Sequence, residues 1–554
     1  MASCAPSEDS DQLPIQTCTA VTDDMYSYTE RDEFTSEVNK VEIKNIPRFC
    51  GYAQLKLFFN RYKLTPIKIK IVRSRPKESF AFATFQTSEE KQLAIERVNG
   101  EVLKGQKLIL KPARPRTDPI YMKPPPISAD QPLPVPSKEE QTDSMLRAVT
   151  PLWDVSYQEQ LKRKLTEVKK SLNKIQQQLI TSAACNTQYC PLSDIIASPI
   201  ILGYRNKSEF TCGTYLDGRR CLGFRLGAYK EGSWTVAPPH GCIHIPKDVL
   251  RLVEICNQFI LNSKLEVFDP RNHSGNWKQI TVRSNQAQEH MVIIQIHTQG
   301  LSREQVREEC DNLCQHLYST ARPELRISSV YYQLCESMSI GGRSGEMELL
   351  RGDTKLSEKL LGVQFSISPN AFFQVNTQAA ELLYDVILQN VPSGEHTVLL
   401  DLCCGAGTIG LCLASHVDKV IGIEISQEAI EDAKDNAKQN NIVNTEFICG
   451  AVEHKLDLLD EIYINTKQVI AVLDPPRAGV PSSVIRTLRK AKNVKRLIYL
   501  ACSVSKASQN LVDICRPAST RMTGQPFRPA RGIPVDLFPH TLHCELVLCY
   551  DHIV

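Results

Sequence analysis

The feature that most constrains the fold is the regular alternation of apolar strands and helices after Gly362. The apolar runs lie near residues 397–402, 419–425, 445–449, 468–473 and 495–501. Strands separated by helices pair in parallel, because a parallel connection must cross back over the sheet. The pattern therefore predicts a doubly wound, Rossmann-like α/β domain over residues 361–554.

A glycine-rich turn follows the first of these strands. In LLDLCCGAGTIGL, Gly405, Gly407 and Gly410 have GxGxxG spacing between a strand and a helix, where backbone can approach a ligand closely. The second strand ends in Glu424, whose carboxylate can accept hydrogen bonds from both hydroxyls of a ribose. This arrangement is typical of sites for either a dinucleotide or S-adenosylmethionine, so a nicotinamide-dependent dehydrogenase remains one alternative.

Two further acids favour S-adenosylmethionine. Asp401 ends the first strand, where its charge would repel a pyrophosphate but attract the amino and sulfonium groups of this methyl donor. Asp474, in VLDPPRAG, ends the fourth strand, and ligands of doubly wound sheets bind at the carboxyl ends of the strands. Acids at strand ends also cap helices, but three of them on successive strands indicate a ligand site.

The N-terminal part has the element order βαββαβ, which resembles an RNA-recognition motif domain. The signature of that domain aligns with ESFAFATF and places Phe80, Phe82 and Phe85 at its aromatic positions. Glu78 and Ser79 replace the residues usual in this signature, and Glu42 stands at the usual aromatic position of the domain's second signature. We expect Phe80 and Phe82 to stack on RNA bases, with protein contacts and nonspecific RNA binding as the alternatives.

Composition divides the chain into segments. Residues 1–38 carry nine acids against one base, whereas residues 41–118 carry seventeen bases against seven acids, a balance typical of proteins with a phosphate-rich partner. Prolines mark a linker before the central part. The predicted segments are a disordered acidic tail (1–38), an RNA-recognition domain (39–116), a proline-rich linker (117–149), a helix with a central α+β RNA-substrate domain (150–360) and the α/β domain (361–554).

The predicted helix after the linker has one apolar seam, formed by Leu161, Leu165, Val168, Leu172, Ile175 and Leu179. This seam is too short for a long coiled coil, so we expect it to pack on its own protein. The other faces carry basic residues that are expected to be solvated, with RNA contact as the alternative: Lys162, Arg163, Lys164, Lys169, Lys170 and Lys174.

Other signals are absent from the sequence. It contains no run of 18 or more uncharged apolar residues and no secretory or transit signal, so the protein is expected in the cytosol, or also in the nucleus. Its twenty cysteines lack regular spacing and indicate reduced thiols rather than disulfides. No paired CxxC motifs occur, so no metal site is expected.

Four motifs in one order resemble the tRNA (uracil-5-)-methyltransferase family: SPNAFFQVNT (368–377), DLCCGAGTIGL, LDPPRAG and VDLFPHTLHCE (535–545). The resemblance implies that Cys502 is the nucleophile and Glu545 the base. It also implies S-adenosylmethionine as cofactor, held by Gln374, Asp401, Glu424, Asp474 and the turn with Cys403, Gly405, Gly407 and Thr408. In the central domain, the motif GYRNKSEF implies RNA contacts by Tyr204, Arg205, Asn206 and Lys207.

The implied reaction is methylation of carbon 5 of uridine in RNA, at the T-loop position 54 of cytosolic tRNA. Carbon 5 of uracil is a poor nucleophile until a thiolate adds to carbon 6, after which a base removes the carbon 5 proton. A free thiol with a pKa near 8.5 is mostly protonated at pH 7. The site is therefore expected to lower the pKa of Cys502 or to remove its proton when substrate binds.

One departure from the family pattern concerns the nucleophile. Ala501, Ser503 and Val504 surround Cys502, where the family usually has Ser-Cys-Asn-Pro. An RNA-binding protein or tRNA chaperone with weak or lost methyl transfer is therefore the second hypothesis. A methylase of exocyclic base nitrogens is a further alternative, but it would not need Cys502. The expected partners are tRNA and other RNAs, with no membrane or metal, and the protein is expected to be a monomer.

Overall fold

The structure is a computed structural model of the 554-residue chain. It describes residues 39–47, 50–64, 66, 68–74, 78–85, 88–113, 137–181, 189–227, 235–269, 274–335, 345, 347–392, 397–455 and 468–552. The predicted acidic tail lies outside the described residues. The chain divides into two compact units, an N-terminal domain and the larger remainder.

The N-terminal domain has the predicted βαββαβ order and a four-stranded antiparallel sheet. Its elements are β1 (Lys40–Lys44), α1 (Tyr52–Arg61), β2 (Lys68–Ser74), β3 (Glu78–Thr84), α2 (Ser88–Val98), β4 (Val102–Leu103), β5 (Gln106–Lys107) and β6 (Ile109–Pro112). The strand order in the sheet is β2-β3-β1-β6. Alternate residues such as Val41, Ile43, Ala81 and Ala83 are fully buried against the helices, which leaves the opposite sheet face open.

The second unit begins with a helix where the sequence predicts linker. This helix, α3 (Lys138–Val149), starts at Ser137, whose hydroxyl accepts from the Glu140 amide while the Glu140 carboxylate accepts from the Ser137 amide. Such a capping box satisfies two amides that the helix itself leaves unpaired. The proline-rich composition of the segment hid this local signal, so the predicted linker is too long at its C-terminal end.

The central domain is α+β, as predicted. Its elements are α4 (Tyr157–Thr181), β7 (Lys207–Thr214), β8 (Arg220–Arg225), β9 (Val236–Ala237), α5 (Lys247–Asn262), β10 (Trp277–Ser284), β11 (Glu289–His297), α6 (Arg303–Thr320), β12 (Arg326–Cys335) and β13 (Met347–Gly352). The strands form one mixed sheet in the order β13-β12-β11-β10-β7-β8-β9, in which only β11 and β12 pair in parallel. Helices α5 and α6 cover the apolar core of this sheet.

The C-terminal domain is the predicted doubly wound α/β fold. A hairpin of β14 (Leu356–Leu360) and β15 (Val363–Ile367) and helix α7 (Thr377–Gln389) precede it. Its further elements are β16 (Thr397–Leu402), α8 (Thr408–Leu413), β17 (Lys419–Glu424), α9 (Gln427–Gln439), β18 (Thr445–Cys449), α10 (Val452–Lys455), β19 (Gln468–Leu473), α11 (Ser482–Lys490), β20 (Val494–Ala501), α12 (Val504–Cys515), β21 (Phe527–Val535) and β22 (Glu545–His552).

The C-terminal sheet has the strand order β18-β17-β16-β19-β20-β22-β21. The first five strands are parallel. The four strands β17, β16, β19 and β20 are mostly buried, which explains their largely apolar sequences, whereas only Phe447 is buried in the outer strand β18. The last two strands pair antiparallel to β20 and to each other. The sequence pattern did not predict this antiparallel edge.

Helix α4 packs on its own protein, as predicted, but its buried face differs from the predicted seam. The buried residues are Gln160, Lys164, Val168, Leu172, Ile175 and Leu179. The last four join the core of the C-terminal domain. The prediction of a solvated Lys164 is wrong, because this side chain is buried and paired with Asp536. The remaining basic residues of the predicted solvated faces are exposed, namely Lys162, Arg163, Lys169, Lys170 and Lys174.

Three further observations concern the described ranges. No helix there has both the length and the apolar character needed to cross a membrane. No group of three or more His, Cys, Asp or Glu side chains is arranged to hold a metal ion. No disulfide bond joins any of the described cysteines.

Candidate active site

The predicted functional side chains lie along the edge of the C-terminal sheet that is formed by the carboxyl ends of its parallel strands. Five adjacent strands, in the spatial order β17, β16, β19, β20 and β22, each bring one of them to this edge. In the same order these residues are Glu424, Asp401, Asp474, Cys502 and Glu545. Glu545 begins β22 but lies at the same edge, because β22 runs antiparallel to β20. Neighbouring strands are about 4.8 Å apart, so the row spans about 19 Å.

The turn between β16 and α8 has left-handed backbone at Cys403, Gly405 and Gly407, with φ of 63°, 54° and 76°. The Cys403 amide donates to the Ile423 carbonyl of β17 (2.9 Å), which holds the turn against the neighbouring strand. A Cβ on Gly407 would lie 2.9 Å from the Phe447 ring, whereas one on Gly405 would meet no described atom within 4 Å. Gly407 is therefore needed for packing, and Gly405 borders open space in which a ligand can lie.

Backbone amides hold the carboxylate of Glu424 at the end of β17. Its Oε1 accepts from the amides of Ile425 (2.7 Å) and Ser426 (3.0 Å), and its Oε2 accepts from the amide of Gly405 (3.2 Å). Each carboxylate oxygen has two lone pairs, so the group can still accept hydrogen bonds from the two hydroxyls of a ribose. The same contacts join the carboxylate to the glycine turn.

Asp401 and Asp474 are held in a setting that disfavours their ionised forms. Asp401 is fully buried, and its Oδ2 accepts from the Gly410 amide (2.8 Å). Burial raises the pKa of both carboxyls to about 7, and at Asp401 the nearby Asp474 and Glu424 add to the effect. The other Asp401 oxygen, Oδ1, is buried without a hydrogen-bond partner among the described residues. An ammonium or sulfonium group would relieve the repulsion of Asp401 by the carboxylates of Asp474 and Glu424. The residues therefore fit a ligand with a ribose and a cationic end.

The contacts of three other predicted cofactor residues, Thr408, Gln374 and Cys403, are as follows. Thr408 begins α8, and its Oγ1 shares a hydrogen bond with the Tyr384 hydroxyl (3.1 Å). Gln374 is buried, and its main-chain carbonyl accepts from Nδ2 of Asn206 (2.8 Å). Burial, and then the nearby Glu424, raise the pKa of the Cys403 thiol to about 12. The thiol therefore stays protonated at neutral pH and adds no charge to the pocket.

Cys502 and Glu545 lie on adjacent strands at the other end of the row. Cys502 is half-buried, and burial raises the pKa of its thiol to about 11, with Glu545 and Asp474 adding to the rise and Arg477 opposing it. The expectation that local charge lowers this pKa is wrong for the protein without substrate. Burial also raises the pKa of Glu545, to about 8, and Asp474 contributes in the same direction. A carboxyl with such a pKa can accept a proton near neutral pH.

Tyr204 and Asn206 of the central domain connect that domain to the C-terminal one. The Tyr204 ring is buried, and its hydroxyl donates to the Pro539 carbonyl (3.0 Å). Asn206 donates through Nδ2 to the Gln374 carbonyl and to Oγ1 of Thr377 (3.0 Å). These two side chains therefore fix the segments that carry Gln374 and Glu545. Their predicted contact with RNA stays a prediction.

Arg205 and Lys207, the other two residues of this motif, are partly exposed. Lys207 pairs with Glu209 on the same strand (2.9 Å). Burial lowers the pKa of Arg205, and the positive charge of Arg477 acts in the same direction. Arg205 is thus a cation near Arg477, and the charge of Arg477 also opposes the rise in the pKa of the Cys502 thiol. The predicted RNA contacts of Arg205 and Lys207 stay predictions.

The sheet face of the N-terminal domain carries the predicted aromatic pair. The rings of Phe80 and Phe82 meet edge to face, with centroids 5.6 Å apart, and Lys40 Nζ lies 4.5 Å from the Phe82 centroid. Glu42 lies directly opposite Phe82 on β1. The third aligned aromatic, Phe85, is 1% exposed and belongs to the core, so it is not part of the open face. Two aromatic rings and a neighbouring cation remain on that face for a nucleobase.

Comparison with known proteins gives concordant results. A family model described as tRNA (Uracil-5-)-methyltransferase matches residues 345–548, and an RNA recognition motif model matches residues 41–109. The chain is 38% identical to human tRNA (uracil-5-)-methyltransferase homolog A, over 96% of this chain and 85% of that protein. The chain belongs to the tRNA (uracil-5-)-methyltransferase family. The human homolog B is 34% identical to it, over 73% of this chain and 82% of that protein.

The tRNA (uracil-5-)-methyltransferase fold is also found in a solved structure. It is the structure of Pyrococcus abyssi tRNA (uracil-54, C5)-methyltransferase in complex with S-adenosyl-L-homocysteine. The TM-score is 0.53 and the sequence identity 22%, over 82% of this chain and 92% of that one. At this identity the likeness concerns the fold.

In this member of the tRNA (uracil-5-)-methyltransferase family, Asn510 of α12 supports the site and was missed by sequence reasoning. Its Oδ1 accepts from the Val480 amide (2.7 Å) and the Tyr499 hydroxyl (3.1 Å), and its Nδ2 donates to the Val480 carbonyl (2.8 Å). These bonds fix the loop after Asp474. A polar residue on the buried face of an amphipathic helix was the available signal.

The departures beside Cys502 have a structural setting. Ser503 immediately precedes α12 and makes no side-chain capping bond, while Val504 begins the helix and packs in the core. Val504 therefore occupies the first helical position. Proline is also tolerated at this position, because the main-chain amide there has no partner within the helix. Val504 is compatible with this backbone, and Ser503 is partly exposed directly after Cys502.

Proposed function

We propose that this protein transfers a methyl group from S-adenosylmethionine to carbon 5 of uridine in RNA, at the T-loop position 54 of tRNA. The observation that carries the proposal is the row of five residues on one sheet edge, with cofactor-type carboxylates at one end and a thiol beside a base at the other. The names of the human relatives support uracil in tRNA as the target. Position 54 follows from the motif resemblance.

The carboxylate end of the row suits the methyl donor. Glu424 would accept from the ribose hydroxyls, and Asp401 with its unpartnered Oδ1 would face the cationic end. Gln374, Asp474 and the turn with Cys403, Gly405, Gly407 and Thr408 would complete the pocket. When bound, S-adenosylmethionine supplies an electrophilic methyl group.

At the other end, Cys502 activates the uracil ring. Its thiol loses a proton to water, and the thiolate forms a bond to carbon 6 while the electrons of the carbon 5–carbon 6 double bond move toward the O4 oxygen. Carbon 5 then becomes nucleophilic and would form a bond to the methyl group, while the bond from that methyl group to the sulfonium sulfur breaks and leaves a neutral thioether. The Glu545 carboxylate takes the proton from carbon 5, the double bond reforms, and the bond from sulfur to carbon 6 breaks. The raised pKa of Glu545 suits this role as proton acceptor.

RNA must present the uridine to this edge. A stacked base has to be flipped out, at a cost of a few kcal/mol, so the protein must hold the surrounding RNA. We propose that Phe80 and Phe82 stack on unpaired bases and that Arg205 and Lys207 contact phosphates. Tyr204 and Asn206 would act by fixing the loops of the site. We also propose that the protein acts as a monomer in the cytosol, without a metal.

The test uses tRNA that contains 5-fluorouridine together with S-adenosylmethionine. Fluorine at carbon 5 cannot be removed as a proton, so the covalent complex stays trapped and resists denaturation. We expect the wild-type protein to form this complex and Cys502→Ala to form none. The control is Cys515→Ala, which changes another half-buried thiol at the far end of α12 and should retain the complex.

A second function is favoured by the departures at Ala501, Ser503 and Val504. It is RNA binding or tRNA refolding without efficient methyl transfer. This function would be supported if the wild-type protein binds tRNA and S-adenosylmethionine but forms neither the trapped complex nor 5-methyluridine. In that case the role proposed for Cys502 would be wrong.

A further inference from the structure

The proposed base, Glu545, is positioned by a turn rather than by bonds to its own side chain. It begins β22 opposite Val535, the last residue of β21, and residues 536–544 connect the two strands. Within the described ranges, no group donates a hydrogen bond to the Glu545 carboxyl, although the side chain is buried. The location of this carboxyl therefore depends on the backbone around it, which the pairing with Val535 and the turn 536–544 hold.

Lys164 of helix α4 holds the first half of that turn. Its Nζ donates to Oδ1 of Asp536 (2.5 Å) and to the carbonyl of Phe538 (2.8 Å), and both charged side chains are fully buried. Asp536 Oδ1 also accepts from the Phe538 amide (3.0 Å). Lys164 thus binds one side chain and one main-chain group of the turn at the same time.

Gln160, one helical turn earlier, holds the tip. Its Oε1 accepts from the His540 amide (2.7 Å), and its Nε2 lies 3.1 Å from Nδ1 of the His540 ring. The same Nε2 donates to the carbonyls of Leu152 (3.1 Å) and Val155 (2.8 Å), so the amide group is itself fixed. His540 has a left-handed backbone with φ of 67°, which a non-glycine residue keeps only when its surroundings hold it.

The rest of the buried face of α4 is apolar, with Val168, Leu172, Ile175 and Leu179 in the core. Gln160 and Lys164 interrupt this pattern only where the helix meets the turn. A buried ion pair is often no more stabilising than apolar residues of similar size, so packing alone does not account for it. Such a pair does fix the relative placement of the two segments, because neither charge can be left alone in the interior.

We propose that Gln160 and Lys164 are positioning residues for the base, which fix the turn 536–544 so that Glu545 reaches the proton on carbon 5 of the methylated uracil. The inference rests on the proposed function, because Glu545 has its role there. Neither residue contacts the reacting atoms in this account. They act through the turn, and the step that they affect is the removal of the carbon 5 proton by Glu545.

This role affects the release of product more than substrate binding or methyl transfer. The bond between the Cys502 sulfur and carbon 6 breaks only when the electron pair of the carbon 5–hydrogen bond reforms the ring double bond. If Glu545 is displaced, the proton stays on carbon 5 and the methylated ring stays attached to Cys502. A loss of positioning therefore causes the covalent complex to accumulate on ordinary, fluorine-free tRNA.

The experiment compares variants of the full chain on unmodified tRNA with labelled S-adenosylmethionine, using denaturing gels and steady-state kinetics. The variants are Gln160→Met, Lys164→Met and the double variant Lys164→Met with Asp536→Leu, which leaves no buried charge unpaired. We expect kcat to fall by about 10–100-fold and KM for tRNA to fall with it, so that kcat/KM stays within about twofold, because the slowed step follows methyl transfer. The covalent complex should accumulate. Glu545→Gln should accumulate the same complex.

The control is Leu179→Ala, buried in the same helix but about 22 Å along its axis from Lys164. It should lower the melting temperature without accumulation of the complex, which separates positioning from general destabilisation. Wild-type kcat without any complex in folded Gln160→Met and in the folded double variant would overturn the inference. If instead the wild-type protein gives no trapped complex on 5-fluorouridine tRNA, the proposed function itself fails.

Discussion

At the scale of single residues, the site combines groups that are held in their neutral forms. Burial raises the pKa of the Cys502 thiol to about 11 and that of Glu545 to about 8. A buried neutral site avoids the cost of isolated charges before substrate arrives. Substrate binding must then shift protons, and where removal of the carbon 5 proton limits turnover, the pH dependence should show the pKa of Glu545.

The first prediction concerns the pH dependence of turnover. Glu545 accepts a proton only as a carboxylate, and below its pKa of about 8 the carboxylate fraction falls with falling pH. We expect kcat to rise about tenfold per pH unit between pH 6 and 7.5 and to level off above about pH 8.5. Quenched time courses of 5-methyluridine formation at each pH measure kcat. A profile that is flat from pH 6 to 9 would contradict the assignment of Glu545 as base.

The second prediction concerns stability. The folded-state pKa of Glu545 is raised, so below the unfolded value near 4.5 both states are protonated and the carboxyl has no effect on the free energy of unfolding. As pH rises from about 4.5 to 8, only the unfolded state loses its proton, and the folded state is progressively destabilised. Glu545→Gln should therefore be more stable than wild type by roughly 2–4 kcal/mol above pH 8.5 and unchanged near pH 4.5. Urea denaturation at both pH values tests this, and equal stability at high pH would contradict a buried carboxylate.

At the scale of elements, the sequence predicted the strands, the glycine turn and the residues at the strand ends, because each depends on local pattern. It did not predict the antiparallel edge that places Glu545 beside Cys502, since strand order is a tertiary property. Lys164 was predicted to be solvated because its charge favours water, yet its partner Asp536 lies far along the chain. Phe85 was aligned with the aromatic signature, but one residue of register decides whether a side chain faces the core.

A third prediction belongs to the glycine turn. Gly407 has φ of 76°, and a Cβ there would lie 2.9 Å from the Phe447 ring. Gly407→Ala should lower the free energy of unfolding by about 2–4 kcal/mol, because backbone strain and overpacking add up. The matched control is Gly218→Ala, at φ of 83° with no described atom within 4 Å of the added Cβ, which should cost only about 1 kcal/mol. Chemical denaturation measures both, and equal costs would contradict the packing argument.

At the scale of the whole molecule, the family relationship covers nearly the full chain, and an RNA-recognition domain precedes the methyltransferase part. The domain order was readable from composition and motifs. Helix α3 was not, because prolines upstream hid its capping box. The way α4 reaches the turn before Glu545 was also not readable, since only the folded chain brings residues 160–164 next to residues 536–540.

The fourth prediction concerns RNA binding by the N-terminal domain. Replacing both Phe80 and Phe82 with alanine should weaken tRNA binding by the full chain by about 1–3 kcal/mol per lost stacked base, without changing S-adenosylmethionine affinity. Leu57→Ala, an exposed change on α1 of the same domain, is the control and should leave both affinities unchanged. Fluorescence anisotropy with labelled tRNA measures the effect. Unchanged tRNA affinity in the double variant would favour a protein-contact role for this sheet face.

The proposed reaction depends on a bond between Cys502, at the end of β20, and the uracil that receives the methyl group. The most direct measurement is mass spectrometry of the peptide–nucleotide adduct recovered after reaction with 5-fluorouridine tRNA and S-adenosylmethionine. We expect one adduct, in which the peptide with Cys502 is joined to a nucleotide that carries both fluorine and the transferred methyl group. An adduct on another of the twenty cysteines, or methylated product with no adduct at all, would contradict it.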